Sequence, residues 1–307
     1  MTAEASPRSR LITDIFDSNK PLIISKLVHL SNLSSNDLKL LKLAWANSDT
    51  SRRQQVISNI VHLSETDLRL SFTNIFLFCL GDPDEAIRTQ ATAGLEAEED
   101  EAIIAPLAKA LKEDRSARVR AAAANALGNF SLLAELGKLA DVYATRVYFA
   151  LLQVLDNRAE TAEVKRRALE GIAPLSRPRV KELIEDAYHS SDLKSKASAV
   201  HAMGRNCDPF WLETLLAELS NTEPEMRYEA ALALGELGAE EAVPQLSKLT
   251  SDNDSEVQGA AIKAMGEIGG DQAKRVLKEL VRSQDARIRE AATSALKELL
   301  FCEDPLP

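Results

Sequence analysis

Apolar and small residues recur along the chain at the spacing of one helical face. When Met226 is numbered zero, position 4 is alanine in seven successive copies: Ala91, Ala123, Ala168, Ala199, Ala230, Ala261 and Ala292. Position 7 is alanine or glycine in every copy, and position 8 is Leu, Ile or Met. Positions 0, 4, 7 and 8 share one side of an α-helix, so each copy predicts an amphipathic helix with a closely packed face.

The copies follow one another at a fixed distance, which indicates a repeat protein. The last five copies, from Val164 to Ile288, are 31 residues apart. A first helix precedes each of the last four, marked by apolar residues with the same period: Ile184, Leu215, Leu246 and Leu277. One helix pair cannot bury its apolar face alone, but a stack can. We therefore predict an all-α fold, a right-handed α-solenoid (superhelix) of stacked antiparallel helix pairs with no sheet.

The turn inside each predicted pair ends in a polar residue three positions before position zero. These residues are Asp84, Ser116, Thr161, Asp192, Glu223, Asp254 and Asp285. Asp, Ser and Thr side chains accept hydrogen bonds from the unpaired amides of a helix N-terminus, and Glu223 is the weakest of these caps. Glycine at position 9 of three copies (Gly204, Gly235 and Gly266) predicts the end of the second helix.

The chain divides into three parts by its agreement with the repeat. Residues 1–9 lack periodicity and predict a flexible N-terminal tail. Residues 10–65 fit the pattern poorly and are interpreted as degenerate helical repeats that cap the stack. Residues 66–307 hold the seven repeats. Helical segments of the first part of the chain are predicted at about 20–31, 35–46, 51–63 and 66–80.

One repeat is longer than the others. Position zero moves from Val119 to Val164, which is 14 residues more than the period. The surplus lies at about 128–145, where apolar residues keep a helical spacing, so we predict an additional inserted helix. Insertions in repeat proteins often mark a functional face. A tolerated change of length without a role is the equally open alternative.

Composition and charge argue against nucleic-acid binding, membrane insertion and secretion as functions or destinations of this protein. The net charge is −10, and an acidic surface disfavours sequence-independent binding of nucleic acid. No run of 18 apolar residues occurs, and the first residues lack the apolar core of a secretion signal. Three cysteines stand far apart without a C-x-x-C motif, which indicates reduced thiols. We expect a cytoplasmic protein that does not enter a membrane.

Two stretches carry a family resemblance. Residues 114–128, which contain ARVRAAAANALG, and residues 225–238, EMRYEAALALGELG, resemble HEAT repeats. More narrowly, they resemble the short HEAT-like repeats of the phycobilisome lyase type. This resemblance implies that second helices line a concave surface and that turn acids form a ladder with a basic residue at position 1. Asp82, Asp114 and Asp252 match the turn acids, whereas Gln258 departs from the basic position.

The histidines do not form a recognisable metal site. Deoxyhypusine hydroxylase, a HEAT-like enzyme, holds two irons with His-Glu motifs. No histidine here (His29, His62, His189 or His201) is followed by glutamate, and no H-E-x-x-H occurs. No phosphate-binding glycine loop and no G-x-S-x-G motif is present either. We therefore expect no enzymatic activity, no bound metal and no cofactor.

Two HEAT-like activities remain as alternatives. Bilin (phycobilin) lyases, or chromophore-binding chaperone-like proteins, share the repeat, but the repeat alone does not carry their chemistry. HEAT-like DNA glycosylases use a basic groove with aromatic residues, which the acidic balance opposes. Trp45 and Trp211 do not occupy the repeat positions that are predicted to face the concave surface. Trp211 is interpreted as a packing residue.

Positions 2, 3, 6 and 10 of the second helices define a candidate binding surface on the concave face. The predicted partner-binding residues are Arg166, Arg167, Glu170, His201, Arg205, Tyr228, Glu229 and Leu232. Tyrosine and arginine are enriched at interface hot spots. The sequence thus favours a monomeric protein–protein interaction scaffold that binds a helix or extended segment of another protein, although a merely solvated face is equally open.

Overall fold

The computed structural model describes residues 7–303, which are helical between short turns and contain no strand. The described part confirms the predicted all-α repeat fold. The described residues fall into two compact units, one made of residues 7–133 and 139–164 and the other of residues 134–138 and 165–303. Within the described range, no helix is both long and apolar enough to cross a membrane.

The first unit holds the N-terminal helices and the first repeats. Its helices are α1 (Pro7–Phe16), α2 (Ser35–Ala46), α3 (Thr50–Thr66), α4 (Thr73–Cys79), α5 (Glu85–Ala93), α6 (Ile104–Glu113), α7 (Ala117–Glu135) and α8 (Asp141–Asp156). Short 3-10 helices cover Ile24–Leu30 and Glu101–Ile103. The expected tail at 1–9 lies largely outside the described residues, and α1 already begins at Pro7. Helix α1 was not predicted.

The second unit continues the helix pairs. Its helices are α9 (Ala162–Ile172), α10 (Pro178–Tyr188), α11 (Leu193–Asn206), α12 (Leu212–Glu218), α13 (Pro224–Leu237), α14 (Val243–Leu249), α15 (Ser255–Ile268), α16 (Gly270–Leu280) and α17 (Ala286–Glu303). Odd-numbered helices from α5 onward are the second helices predicted from the register. The N-caps agree with the prediction from the sequence. The Asp192 side chain accepts a hydrogen bond from the Ser195 amide at 2.9 Å, whereas the Glu223 side chain makes no capping bond.

The register correctly predicts the core. All seven alanines at position 4 are fully buried, with 0% of each residue exposed. Position 8 is at most 1% exposed in the first six copies, which include Leu95, Met203 and Leu234. Tryptophan packing also follows the prediction: Trp211 is 2% exposed, and its indole N–H donates to the Asn206 side-chain oxygen at 3.0 Å.

The prediction that position-9 glycines end the second helices is wrong. Helices α11, α13 and α15 each continue two residues beyond Gly204, Gly235 and Gly266. These glycines instead leave room for the next second helix. A Cβ on Gly235 would come within 2.9 Å of the Ala264 Cα, and one on Gly266 would come within 2.9 Å of the Ala295 Cβ. Glycine is needed there because the backbones approach closely.

The surplus residues of the long repeat do not form the inserted helix predicted at 128–145. Helix α7 runs 19 residues and α8 runs 16, compared with 14 in α11 and 11 in α10. The extra chain therefore lengthens the two existing helices. This is the physically simpler outcome, because lengthening a helix adds backbone hydrogen bonds without a new pair of caps.

A ladder of ion pairs joins successive repeats within each unit. In the first, Arg88 donates from Nε and Nη2 to both oxygens of Asp114, at 2.7 and 2.9 Å. Arg120 donates in the same way, from Nε and Nη2, to both carboxylate oxygens of Glu160 at 2.9 and 2.7 Å. In the second, Arg227 holds Asp252 at 2.8 and 2.7 Å. Each guanidinium lowers the pKa of its carboxyl partner by hydrogen bonding, although for Asp114 the opposing effect of burial is the largest single influence.

Candidate functional site

The eight predicted partner-binding residues belong to three second helices of the second unit. We call them the central patch: Arg166, Arg167 and Glu170 on α9, His201 and Arg205 on α11, and Tyr228, Glu229 and Leu232 on α13. Each of them is half-buried. The register accounts for this, because positions 3, 6 and 10 lie beside the packed side of each helix.

Arg167 and Glu170 form an ion pair on α9. The distance from Arg167 Nη1 to Glu170 Oε2 is 2.8 Å, and the residues are three apart on one helix face. The Arg167 side chain is 41% exposed and that of Glu170 is 14% exposed. The guanidinium is thus held in place and still reaches solvent. A carboxylate from a partner meets an arginine that has already lost part of its rotational freedom.

His201 connects α11 to α13 at the centre of the patch. Its Nδ1 lies 3.2 Å from Glu229 Oε2. The hydrogen bond to Glu229 is the main cause that raises the pKa of His201 above its usual 6.5, while partial burial works in the opposite direction. The negative charges of Glu170 and Glu236 raise that pKa further. The imidazole therefore gains a positive charge more readily than an isolated histidine.

Glu236 is a member of this cluster that the predicted set omitted. Its carboxylate lies over the small surface of Gly204, where a Cβ would be 3.1 Å from Glu236 Oε2. Burial raises the pKa of Glu236, and the charges of His201 and Arg205 oppose that rise. The signal was available in the sequence, because Glu236 stands at position 10 of α13, the same register position that Arg205 occupies on α11.

Arg166, Tyr228 and Leu232 extend the patch around this cluster. Arg166 faces the turn before α11: the pKa of Asp192 is lowered first by hydrogen bonds from Ser195 and then by the charge of Arg166. Tyr228 and Leu232 are four residues apart on α13, so they share one face. The patch therefore combines basic groups, acidic groups and one apolar pair.

Residues 7–303, the part of the chain that the structure describes, contain both possible metal-binding side chains and thiols. No group of three or more His, Cys, Asp or Glu side chains in that range is placed to hold a metal ion. The Cys79 thiol is buried, which raises its pKa and keeps it protonated. Cys207 is exposed, and partial burial of its sulfur raises its pKa as well.

A family model for HEAT repeats matches residues 73–148 and 212–297, which is more than half of the chain. The chain belongs to the HEAT repeat family. The helix pairs, the buried alanines and the arginine–carboxylate ladder described above are thus the elements of HEAT repeats. The comparison with curated proteins finds no match to this sequence.

Three solved structures are similar to this HEAT repeat protein to different degrees. The CpcE–CpcF complex of phycocyanin lyase from Nostoc sp. is 17% identical, with a TM-score of 0.54 over 92% of this chain and 97% of that chain. An engineered protein is 20% identical, with a TM-score of 0.43 over 95% and 88%. Human deoxyhypusine hydroxylase is 16% identical, with a TM-score of 0.37 over 96% of both chains. At 17% identity the likeness to the CpcE–CpcF complex concerns the fold alone.

Proposed function

We propose that this HEAT repeat protein is a non-enzymatic scaffold that binds a segment of another protein on the central patch. The observation that carries the proposal is the pairing of His201 with Glu229 across two successive helices, next to the half-buried Tyr228 and Leu232. Polar groups held in defined positions around an apolar centre are typical of protein recognition surfaces.

Continuity of the surface supports a chain-like ligand. Helices α11 and α13 pack so closely at Gly204 that a side chain there would collide with Ala233. Residues at the same register on neighbouring second helices therefore lie about 8–10 Å apart. An extended segment or a helix of the partner spans such a row of positions, whereas a small molecule covers only one of them.

The chemistry of the patch selects the partner's side chains. Arg167 and Arg205 are suited to bind carboxylates, because a guanidinium donates two parallel hydrogen bonds to one carboxylate. Tyr228 and Leu232 supply the apolar contact. The matching segment carries at least one acidic residue and one apolar residue within a few positions of each other. Glu170 and Glu229 then select against a purely acidic segment, since like charges repel.

The proposal places the protein in the cytoplasm as a monomer. Cys79 and Cys207 are free thiols, which fits a reducing compartment. The negative charge of the chain favours solubility and disfavours nucleic acid as the partner.

A pull-down from the native cell extract tests the proposal. The full chain is compared with the double variant Arg167→Glu and Tyr228→Ala, with recovered proteins quantified by mass spectrometry. The double variant is expected to lose the partner that the wild type retains. Equal recovery by both proteins, with unchanged circular dichroism, would rule the central patch out as the binding surface.

The structure offers a matched control for this experiment. Arg179 on α10 is 43% exposed and pairs with Glu182 three residues on, at 3.0 Å. Its exposure and its pairing resemble those of Arg167, but it lies on a first helix. Arg179→Glu therefore introduces the same charge change outside the central patch and is expected to leave partner recovery unchanged.

A further inference from the structure

A groove between α6 and α8 forms a recessed surface that lies entirely in the first unit. It has a volume of about 510 Å³ and is lined by Ala108, Leu111 and Lys112 from α6 and by Arg146, Phe149 and Val154 from α8. Both are first helices of their repeats, so this α6–α8 groove is separate from the second-helix surface of the central patch.

Phe149 presents an aromatic ring to this groove from the middle of a helix. It is 55% exposed, although the neighbouring Tyr148 and Leu151 on α8 are buried. The Phe149 ring contacts that of Tyr148 edge to face, with centroids 5.2 Å apart, which fixes its orientation. Val142, two turns earlier on α8, is also 63% exposed. A fixed aromatic ring at the edge of an apolar recess is typical of a binding hot spot.

The charged groups around the groove give it a positive character. Lys112 and Arg146 are exposed, and within the described residues neither forms an ion pair. Arg146 lies 6.0 Å from the ring of Tyr143, so its side chain is supported along the helix. The acidic residue of the lining, Glu160, has both carboxylate oxygens bound by Arg120. The groove therefore offers two available cations on a chain whose net charge is −10.

The position of the groove connects it to the long repeat. Helix α8 has 16 residues, five more than α10, because the surplus chain of this repeat lengthens it. The added length carries Val142 and extends the wall that holds Arg146 and Phe149. A tolerated change of length would not need to produce an exposed apolar and basic face, since an exposed helix face is ordinarily polar.

We infer that the α6–α8 groove binds a short acidic segment of a partner protein, which places one large apolar side chain against Phe149. Carboxylates that flank this side chain pair with Lys112 and Arg146, and the Arg146 guanidinium binds one of them bidentately. The inference does not depend on the central patch, because no residue is shared between the two surfaces.

Selection from a phage-displayed library of random 12-residue peptides against the full chain tests this inference. The selected peptides are expected to carry Asp or Glu on either side of one large apolar residue. Their affinity is expected to fall about tenfold or more in Phe149→Ala and in Arg146→Glu. Arg146 is exposed, so its variant remains informative if removal of the Phe149 ring destabilises the fold.

Two further variants complete the experiment. Phe210 is 59% exposed with Lys181 Nζ 5.3 Å from its ring centre, so Phe210→Ala removes a similar aromatic from the second unit and should leave the affinity unchanged. The Arg167→Glu, Tyr228→Ala protein separates the two surfaces. Peptides that bind it poorly but bind Phe149→Ala normally belong to the central patch. Peptides of that kind would overturn the inference. So would selected peptides that are basic or that share no enriched residues, and so would a dimer of this chain that Phe149→Ala abolishes.

Discussion

Gly204 of α11 and Ala233 of α13 lie so close together that a Cβ atom on Gly204 would stand 2.5 Å from the Ala233 Cα. Contact of this kind recurs at Gly235 and Gly266, one repeat further on each time. The approach of successive second helices is thus limited by backbone and not by side-chain volume. Exposed residues on these helices consequently form one surface.

The first prediction concerns Gly204→Ala. The added methyl group forces α11 and α13 apart, so the free energy of unfolding should fall by about 1–3 kcal/mol. Urea denaturation measures this change. Gly259 on α15 is the matched control, because no atom lies within 4 Å of the Cβ position there. Gly259→Ala should raise stability by up to about 1 kcal/mol through its better helix propensity. Equal effects of the two substitutions would contradict the close-packing account.

A second prediction concerns the ladder. The Arg227 and Asp252 side chains are only 14% and 8% exposed. Arg227→Gln removes a bidentate pair and leaves a poorly solvated carboxylate, so a loss of about 1–3 kcal/mol is expected. Arg289 occupies the same repeat position on α17 but donates to the carbonyls of Ser283 and Gln284 in its own turn. Thermal unfolding should show a clearly smaller loss for Arg289→Gln. A similar loss in both would mean that the inter-repeat pair adds nothing.

The third prediction is a pH dependence at His201. Because its pKa is raised in the folded protein, protonation stabilises the fold. This contribution is complete below the unfolded value near 6.5 and disappears as the pH rises through the folded pKa. Glu170 from α9, Glu229 and Glu236 from α13, and Arg205 on α11 itself are the charged groups around the ring.

NMR titration of the imidazole checks this prediction. The wild type should show a pKa above 6.5, and Glu229→Gln should lower it because the main hydrogen bond is lost. The stability advantage of the wild type over His201→Gln should be larger at pH 5.5 than at pH 8.5. A titration at or below 6.5 would contradict the described geometry.

A fourth prediction addresses the lyase alternative. The likeness to phycocyanin lyase is one of fold at 17% identity. A scaffold without bilin chemistry should leave the visible spectrum of an added linear tetrapyrrole, such as biliverdin, unchanged. A stable red shift with the full chain, absent after heat denaturation, would favour the lyase or chromophore-binding reading instead.

The sequence predicts the repeat and its core well because burial at positions 0, 4 and 8 imposes the same residue types in each copy. It misassigns Gly204 because a helix end and a close helix contact both favour glycine. Only the distance to Ala233 separates these two causes. The inserted helix is wrong for a similar reason, since the pattern is helical whether the residues extend α7 and α8 or form a new element.

The candidate site is predictable in part. The repeat pattern places His201 and Glu229 on the same stripe of neighbouring second helices. Their contact, 3.2 Å between His201 Nδ1 and Glu229 Oε2, depends on side-chain conformation, which the pattern does not predict. Phe149 shows the limit more clearly. Its position on α8 suits either a buried or an exposed side chain, and only the packing of α6 against α8 leaves the ring in solvent.

The most direct measurement of the central claim is site-specific photo-crosslinking in the native cells. A photoreactive amino acid replaces Leu232 in the central patch or, as a control, Thr293, which is exposed on α17. The account predicts that the partner recovered in the pull-down crosslinks at position 232 through a segment with neighbouring acidic and apolar residues, and does not crosslink at position 293. Equal yields at both positions, or a recovered partner that never crosslinks at 232, would contradict it.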